Sequence, residues 1–123
     1  MKIAVTSRGD DLTAQVDPRF GRCAKFALID TESMALEVID NTNVSAAGGA
    51  GIQAAQAISD HSVTAVLTGN CGPNAFRALA AAGIEVITGM SGTVGDAVKS
   101  YQDGTATSSD APNVTSHFGT TSV

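Results

Sequence analysis

The sequence predicts a single α/β domain with element order βββαβαβα. Its core is a five-stranded mixed sheet in the order 3-2-1-4-5, with strand 2 antiparallel. Three observations carry this prediction. The second and third apolar runs are separated only by residues 31–34, short enough for a hairpin. The later strands alternate with helical patterns, and such crossovers join parallel strands with right-handed connections. Finally, 123 residues of which 43% are hydrophobic suit one core and one domain.

Each element follows from its residues. Residues 2–6 (KIAVT) form a buried strand, and 25–30 (KFALID) and 35–39 (ALEVI) form the hairpin. Residues 50–60 are helical: Gln53, Gln56 and Asp60 mark the wet face, with Ile52, Ala55 and Ile58 facing inward. Residues 63–68 (VTAVLT) make a strongly apolar, central strand. Residues 73–82 form a helix with Pro73 in its first turn, an apolar stripe of Phe76, Leu79 and Ala80, and Gly83 as a left-handed cap. Residues 84–88 (IEVIT) make the fifth strand. In the last helix Thr93 is the cap, Val94, Ala97, Val98 and Tyr101 repeat at i, i+3, i+4, i+7, and Gly104 is the stop. These elements define one domain over 1–104. The Ser/Thr/Gly/Asp-rich residues 105–123 read as a mobile tail.

Composition narrows the function. The net charge of −5 argues against a nucleic-acid partner, because phosphate binding wants a basic face. No apolar run approaches the roughly 20 residues of a membrane-spanning helix. The sequence starts directly on a strand pattern with no signal peptide, so the expected location is cytoplasmic. Cys23 and Cys71 form no C-x-x-C pair, which argues for two free thiols over a closed zinc site.

The informative feature is the placement of four glycine-rich stretches: VDPRFGRC at 16–23, GGAGIQ at 48–53, TGNCGPNAF at 68–76 and TGMSGTV at 88–94. With strands 1, 3, 4 and 5 pointing one way, the connectors 7–24, 41–51, 69–73 and 89–93 share one edge. Ligands of open α/β sheets bind at that carboxyl edge, near the switch in strand order, here between strands 1 and 4. Gly72 to Asn74 and Gly48, Gly49 and Gly51 lead into helix starts, where unpaired N–H groups and the helix dipole favour an anion. Neither stretch carries the Lys and Ser/Thr of a phosphate loop.

Arg19 and Arg22, with Arg8 nearby, would make a local cationic pocket on this acidic chain, although Asp17 could pair with one of them. Cys71, beside a helix start that favours thiolate, is a candidate soft-metal ligand; Cys23 and the tail His117 are weaker ones. Each thiol has an inert buried reading too. Asp10 and Asp11 could bind Mg²⁺, but the first strand carries no carboxylate, so a two-metal nuclease centre lacks its central acid. No nucleophile elbow, H-E-x-x-H or Ser-His-Asp set is present.

VDPRFGR at 16–22, GGAGIQAAQ at 48–56, TGN-x-GPNAFRAL at 68–79 and the glycine-led segments at 83–94 resemble the dinitrogenase iron–molybdenum cofactor biosynthesis family. PNVTSHFG at 112–119 is similar to the family's ending. That family includes nitrogenase cofactor carriers and small orange proteins that hold a molybdenum–copper sulfide cluster. The resemblance implies a ribonuclease-H-like fold without nuclease activity. It also implies binding of an anionic metal–sulfur cluster, either a molybdenum–copper sulfide or an iron–molybdenum cofactor precursor, and a place among other cofactor-assembly proteins. Carried onto this chain, the pocket comprises Arg19, Phe20, Gly21, Arg22, Gly48, Gly49, Gly51, Asn70, Cys71, Gly72 and Asn74. A nucleotide or phosphometabolite sensor using the same edge, or a scaffold subunit of a larger assembly, are the rival readings.

Overall fold

The computed structural model describes residues 1–41, 50–106 and 108. Five strands and three helices follow in the order β1 (Lys2–Ser7), β2 (Lys25–Asp30), β3 (Leu36–Asp40), α1 (Ala50–Ser59), β4 (Ala65–Leu67), α2 (Pro73–Ala81), β5 (Glu85–Ile87) and α3 (Val94–Gln102). They build one mixed sheet in the order β3-β2-β1-β4-β5, as expected. β2 is antiparallel to both β1 and β3, while β4 is parallel to β1 and β5.

The alternation of side chains across the pleat splits the core into two layers. Ala4, Phe26, Leu28, Val66 and Val86 face α1 and α2, meeting Ala54, Ala55, Ile58 and Leu79. Ile3, Val5, Ala27, Ile29, Ala65, Leu67 and Ile87 face the other way, meeting Val94, Ala97 and Val98 of α3. β1, buried along five of its six residues, is the spine.

The helix ends are as their residues dictate. Gly83 and Gly104 adopt left-handed φ of 76° after α2 and α3. Thr93 and Asp96 form a reciprocal capping box at α3. β4 and β5 are shorter than expected, at three residues each, because the parallel ladder spans only 65–67 against 3–5 and 85–87.

Two helix faces differ from expectation. Ile52, expected inward, is 39% exposed, and Ala80 is exposed too. Ala55 and Ile58 on α1 and Leu79 on α2 face inward as expected, with Phe76 partly buried against the core, and Ala50, Ala54 and Ala75 join them. The cause is a close approach at the helix starts. A Cβ on Gly51 would stand 3.0 Å from the Ala75 Cβ. Turning Gly51 toward α2 rotates Ile52, one residue or about 100° further round, out to solvent.

Beyond α3 the described chain stays docked. The N–H groups of Thr105 and Ala106 donate to the Ser100 carbonyl at 3.0 and 3.1 Å, and the Ser108 hydroxyl donates to the Glu85 carboxylate.

Candidate functional site

The connector from β1 to β2 is the hub of the carboxyl edge. Its first half is zipped to the segment before α3: the Val16 N–H donates to Gly92 at 2.9 Å, and Val94 and Gly95 donate to Ala14 and Leu12 at 2.8 and 2.9 Å. Its second half reaches the other two connectors. Arg19 bridges in parallel with Asn70, and the Phe20 N–H donates to the Asn70 carbonyl at 3.2 Å. A Cβ on Gly69 would fall 2.8 Å from the Pro18 Cα, and a Cβ on Gly21 would fall 2.8 Å from both the Cα and N of Gly51. Glycine at 21 and 69 is therefore what lets the arginine loop touch both helix openings backbone to backbone, while glycine at 51 lets α1 approach α2 at Ala75. The Gly89 N–H closes the set by donating to Gly69 at 2.9 Å.

Of the pocket residues expected from the sequence, Arg19, Phe20, Gly21, Arg22, Gly51, Asn70, Cys71, Gly72 and Asn74 gather at this edge. Gly48, Gly49 and His117 lie outside the described residues. Phe20 is an anchor: its side chain is buried, with its ring 5.8 Å from that of Phe26. Arg22 and Asn74 are exposed, and Arg19 keeps about half its side chain in solvent, at 49%.

Charge is arranged unevenly. α1 and α2 carry no acidic residue in the first turn, and no side chain caps Gly72 at the start of α2. Their first turns thus lack the carboxylate that Asp96 supplies to the positive dipole end of α3. Asp17 pairs with Arg19, Oδ1 lying 3.6 Å from Nε, so the anticipated pairing with one of the arginines is realised. Its main task is internal, however. Buried to 2% exposure, it accepts from the N–H groups of Arg19 and Ala24 at 3.1 and 3.2 Å. Its own carbonyl accepts from the Thr6 hydroxyl at 2.6 Å, which lies 2.9 Å from the Thr68 hydroxyl. These two threonines end the central strands and seat the loop on the switch point.

Asp17 and Asn41, the residues that shape the loop, were not singled out as such by the sequence. The Asp-Pro-Arg order of an Asx turn is a usable signal for Asp17. Asn41 leaves none, since its bonds reach back 18 and 20 residues.

The thiols correct one expectation. Cys71 precedes the start of α2, yet its sulfur is buried in the apolar layer at 1% exposure, and this desolvation pushes its pKa up to about 12. The helix start therefore does not make it a thiolate. Cys23 is fully buried and is shifted still further upward by burial, then by the Asp17 charge. Asp10 is engaged by Lys25 at 2.6 Å, and Asp11 accepts from the N–H and hydroxyl of Thr13 at 2.9 and 2.6 Å. Among the described residues, no three of His, Cys, Asp and Glu come together to hold a metal ion. The edge can thus hold an anion through N–H groups and guanidinium groups, with neutral thiols beneath.

Comparison with known proteins shows what the chain is similar to. The sequence profile of the dinitrogenase iron–molybdenum cofactor family matches residues 1–104. The apo orange protein of Desulfovibrio gigas superposes with a TM-score of 0.90 at 43% identity, over 92% of this chain and 96% of that one. A NifB-type protein of Thermotoga superposes at 0.77 with 36% identity, over 87% and 91%. An uncharacterized protein of Methanocaldococcus jannaschii is 30% identical over 107 residues, covering 85% of this chain and 87% of that one.

Two outcomes follow from the geometry. Gly21→Ala forces a Cβ into the Gly51 backbone and should cost about 1–3 kcal/mol in urea denaturation, as overpacking does; an unchanged midpoint would contradict the contact. For the thiols, the folded pKa lies above the unfolded value of about 8.5. Their contribution to stability is then complete below that pH and lost as pH rises toward the folded pKa. The urea midpoint should fall between about pH 8.5 and 10, and fall less in Cys71→Ala; equal slopes in the two proteins would refute a buried neutral thiol.

Proposed function

The chain belongs to the dinitrogenase iron–molybdenum cofactor family, and on that premise we propose that it binds and carries or stores an anionic molybdenum-containing sulfide cluster, without catalysis. The cargo we favour is the molybdenum–copper sulfide type, given the likeness to the orange protein at a TM-score of 0.90.

The observation that carries the reading is the contact of Gly21 with Gly51, together with the Phe20–Asn70 hydrogen bond. On this reading Arg19 and Arg22 serve two helix starts that carry no first-turn acid. A multiply charged anion at such a place meets guanidinium groups and N–H dipoles at once. On an acidic protein, this local charge complement is what would hold the cluster against the net repulsion.

The holding is non-covalent in this proposal. A sulfur ligand must be deprotonated to bind metal, and the burial of Cys71 and Cys23 opposes that. Arg19 and Arg22 supply charge, and the first-turn N–H groups of α1 and α2 supply direction. Phe20 and Asn70 keep the loop seated.

The test is an anaerobic titration with tetrathiomolybdate and copper, followed by visible absorbance. The doubly substituted Arg19→Ala, Arg22→Ala protein should bind at least about tenfold more weakly, the equivalent of about 1.4 kcal/mol. Cys71→Ala should keep its colour. Unchanged affinity in the arginine variant would defeat the electrostatic account, and bleaching of Cys71→Ala would establish thiolate ligation instead. Tighter calorimetric binding of a nucleotide would favour the sensor reading.

A further inference from the structure

We propose that Asn41 is the positioning residue of the arginine loop, holding its carbonyl oxygens turned away from a bound anion. The inference rests on the anion-binding reading above and adds the device that makes the loop fit for it.

Asn41 follows β3 directly and is 5% exposed. Its side-chain Nδ2 donates to the carbonyls of Gly21 and Cys23, both at 3.0 Å, and lies 3.8 Å from the Cys23 sulfur. Its backbone N–H donates to the Ala24 carbonyl at 3.1 Å. Three carbonyls of the stretch that carries Arg22 therefore point at one buried residue. From the other side, Asp17 takes the N–H groups of Arg19 and Ala24. The loop is clasped by an acceptor for its donors and a donor for its acceptors.

The division matters for an anion. A carbonyl oxygen carries partial negative charge, and aimed at a dianion it opposes binding as strongly as an N–H assists it. Gly21 lacks the side chain that would restrain its peptide planes. Something must fix them, and an asparagine amide is suited to it because one nitrogen offers two hydrogens. Aspartate has the same shape and no donor when ionised. Leucine has a similar size and neither donor nor charge.

The experiment compares Asn41→Leu and Asn41→Asp with the native chain. It reads the dissociation constant for tetrathiomolybdate plus copper, the thermal midpoint, and the carbonyl ¹³C resonances of Gly21 and Cys23 without ligand. Val98→Ala, on the buried side of α3 and on the opposite face of the sheet, is the stability control. We expect both Asn41 variants to lose at least about tenfold in affinity and to move both carbonyl resonances, with Asn41→Asp worse because its charge repels the two oxygens. Val98→Ala should lower the midpoint and leave affinity intact. Native-like affinity in Asn41→Leu, affinity that tracks the midpoint in Val98→Ala as well, or unmoved carbonyl resonances would each overturn the proposal. Should an Asn41 variant fail to fold, Asn41→Ser, which keeps one hydrogen, must fall between native and one-tenth affinity; full affinity there counts against the proposal. Absence of binding by the native chain would instead sink the anion-binding reading, and the resonances alone would then decide whether Asn41 holds the carbonyls.

Discussion

The site depends on a contact between two pieces of backbone. Gly21 and Gly51 come so close that a methyl group on the first would overlap the main chain of the second. Nothing with a side chain can replace this approach without moving the loop or the helix. It fixes α1 against the β1–β2 connector, and through Gly51 and Ala75 it fixes α1 against α2. The rotation of both helices follows from it, and so does the exposure of Ile52. The two helix openings can therefore face the arginines only because the residues between them are the smallest available.

Around that contact, polar groups are sorted by sign. Asp17 and Asn41 are both nearly buried, and each would be costly if left unpaired. They take opposite halves of the loop's hydrogen-bonding capacity, while Arg22 is exposed and Arg19 keeps about half its side chain in solvent. Burial pushes the pKa of the thiols beneath upward, because it disfavours the charged form. On the proposed reading, an acidic protein thus presents a local cationic surface without carrying a basic face.

The topology was legible because it rests on local signals. A four-residue turn means a hairpin, two helical crossovers mean parallel strands, and Pro73, Gly83 and Thr93 mark helix ends by their own chemistry. The glycine clusters also pointed to the edge at which the loop and the helix openings meet. The rotation of α1 was not legible, because a helix mostly of alanine and glutamine, with Ile52 and Ile58 six positions apart, has a weak apolar stripe, and the decisive contact of Gly51 with Ala75 lies 24 residues away in the chain. The state of Cys71 was misjudged on similar grounds: sequence places it near a helix start but cannot say that the sulfur turns into the apolar layer. Asn41 was invisible because an asparagine after a strand is usually only a turn residue.

The most direct test of the central claim is an amide chemical-shift map of the native chain titrated with a tetrathiomolybdate–copper cluster. The account predicts that the largest shifts fall together on Arg19 to Arg22, Gly51 and Ile52, and Gly72 to Phe76, with α3 and β3 quiet. Shifts centred on α3 or on the outer strand β3, with the arginine loop unmoved, would contradict it.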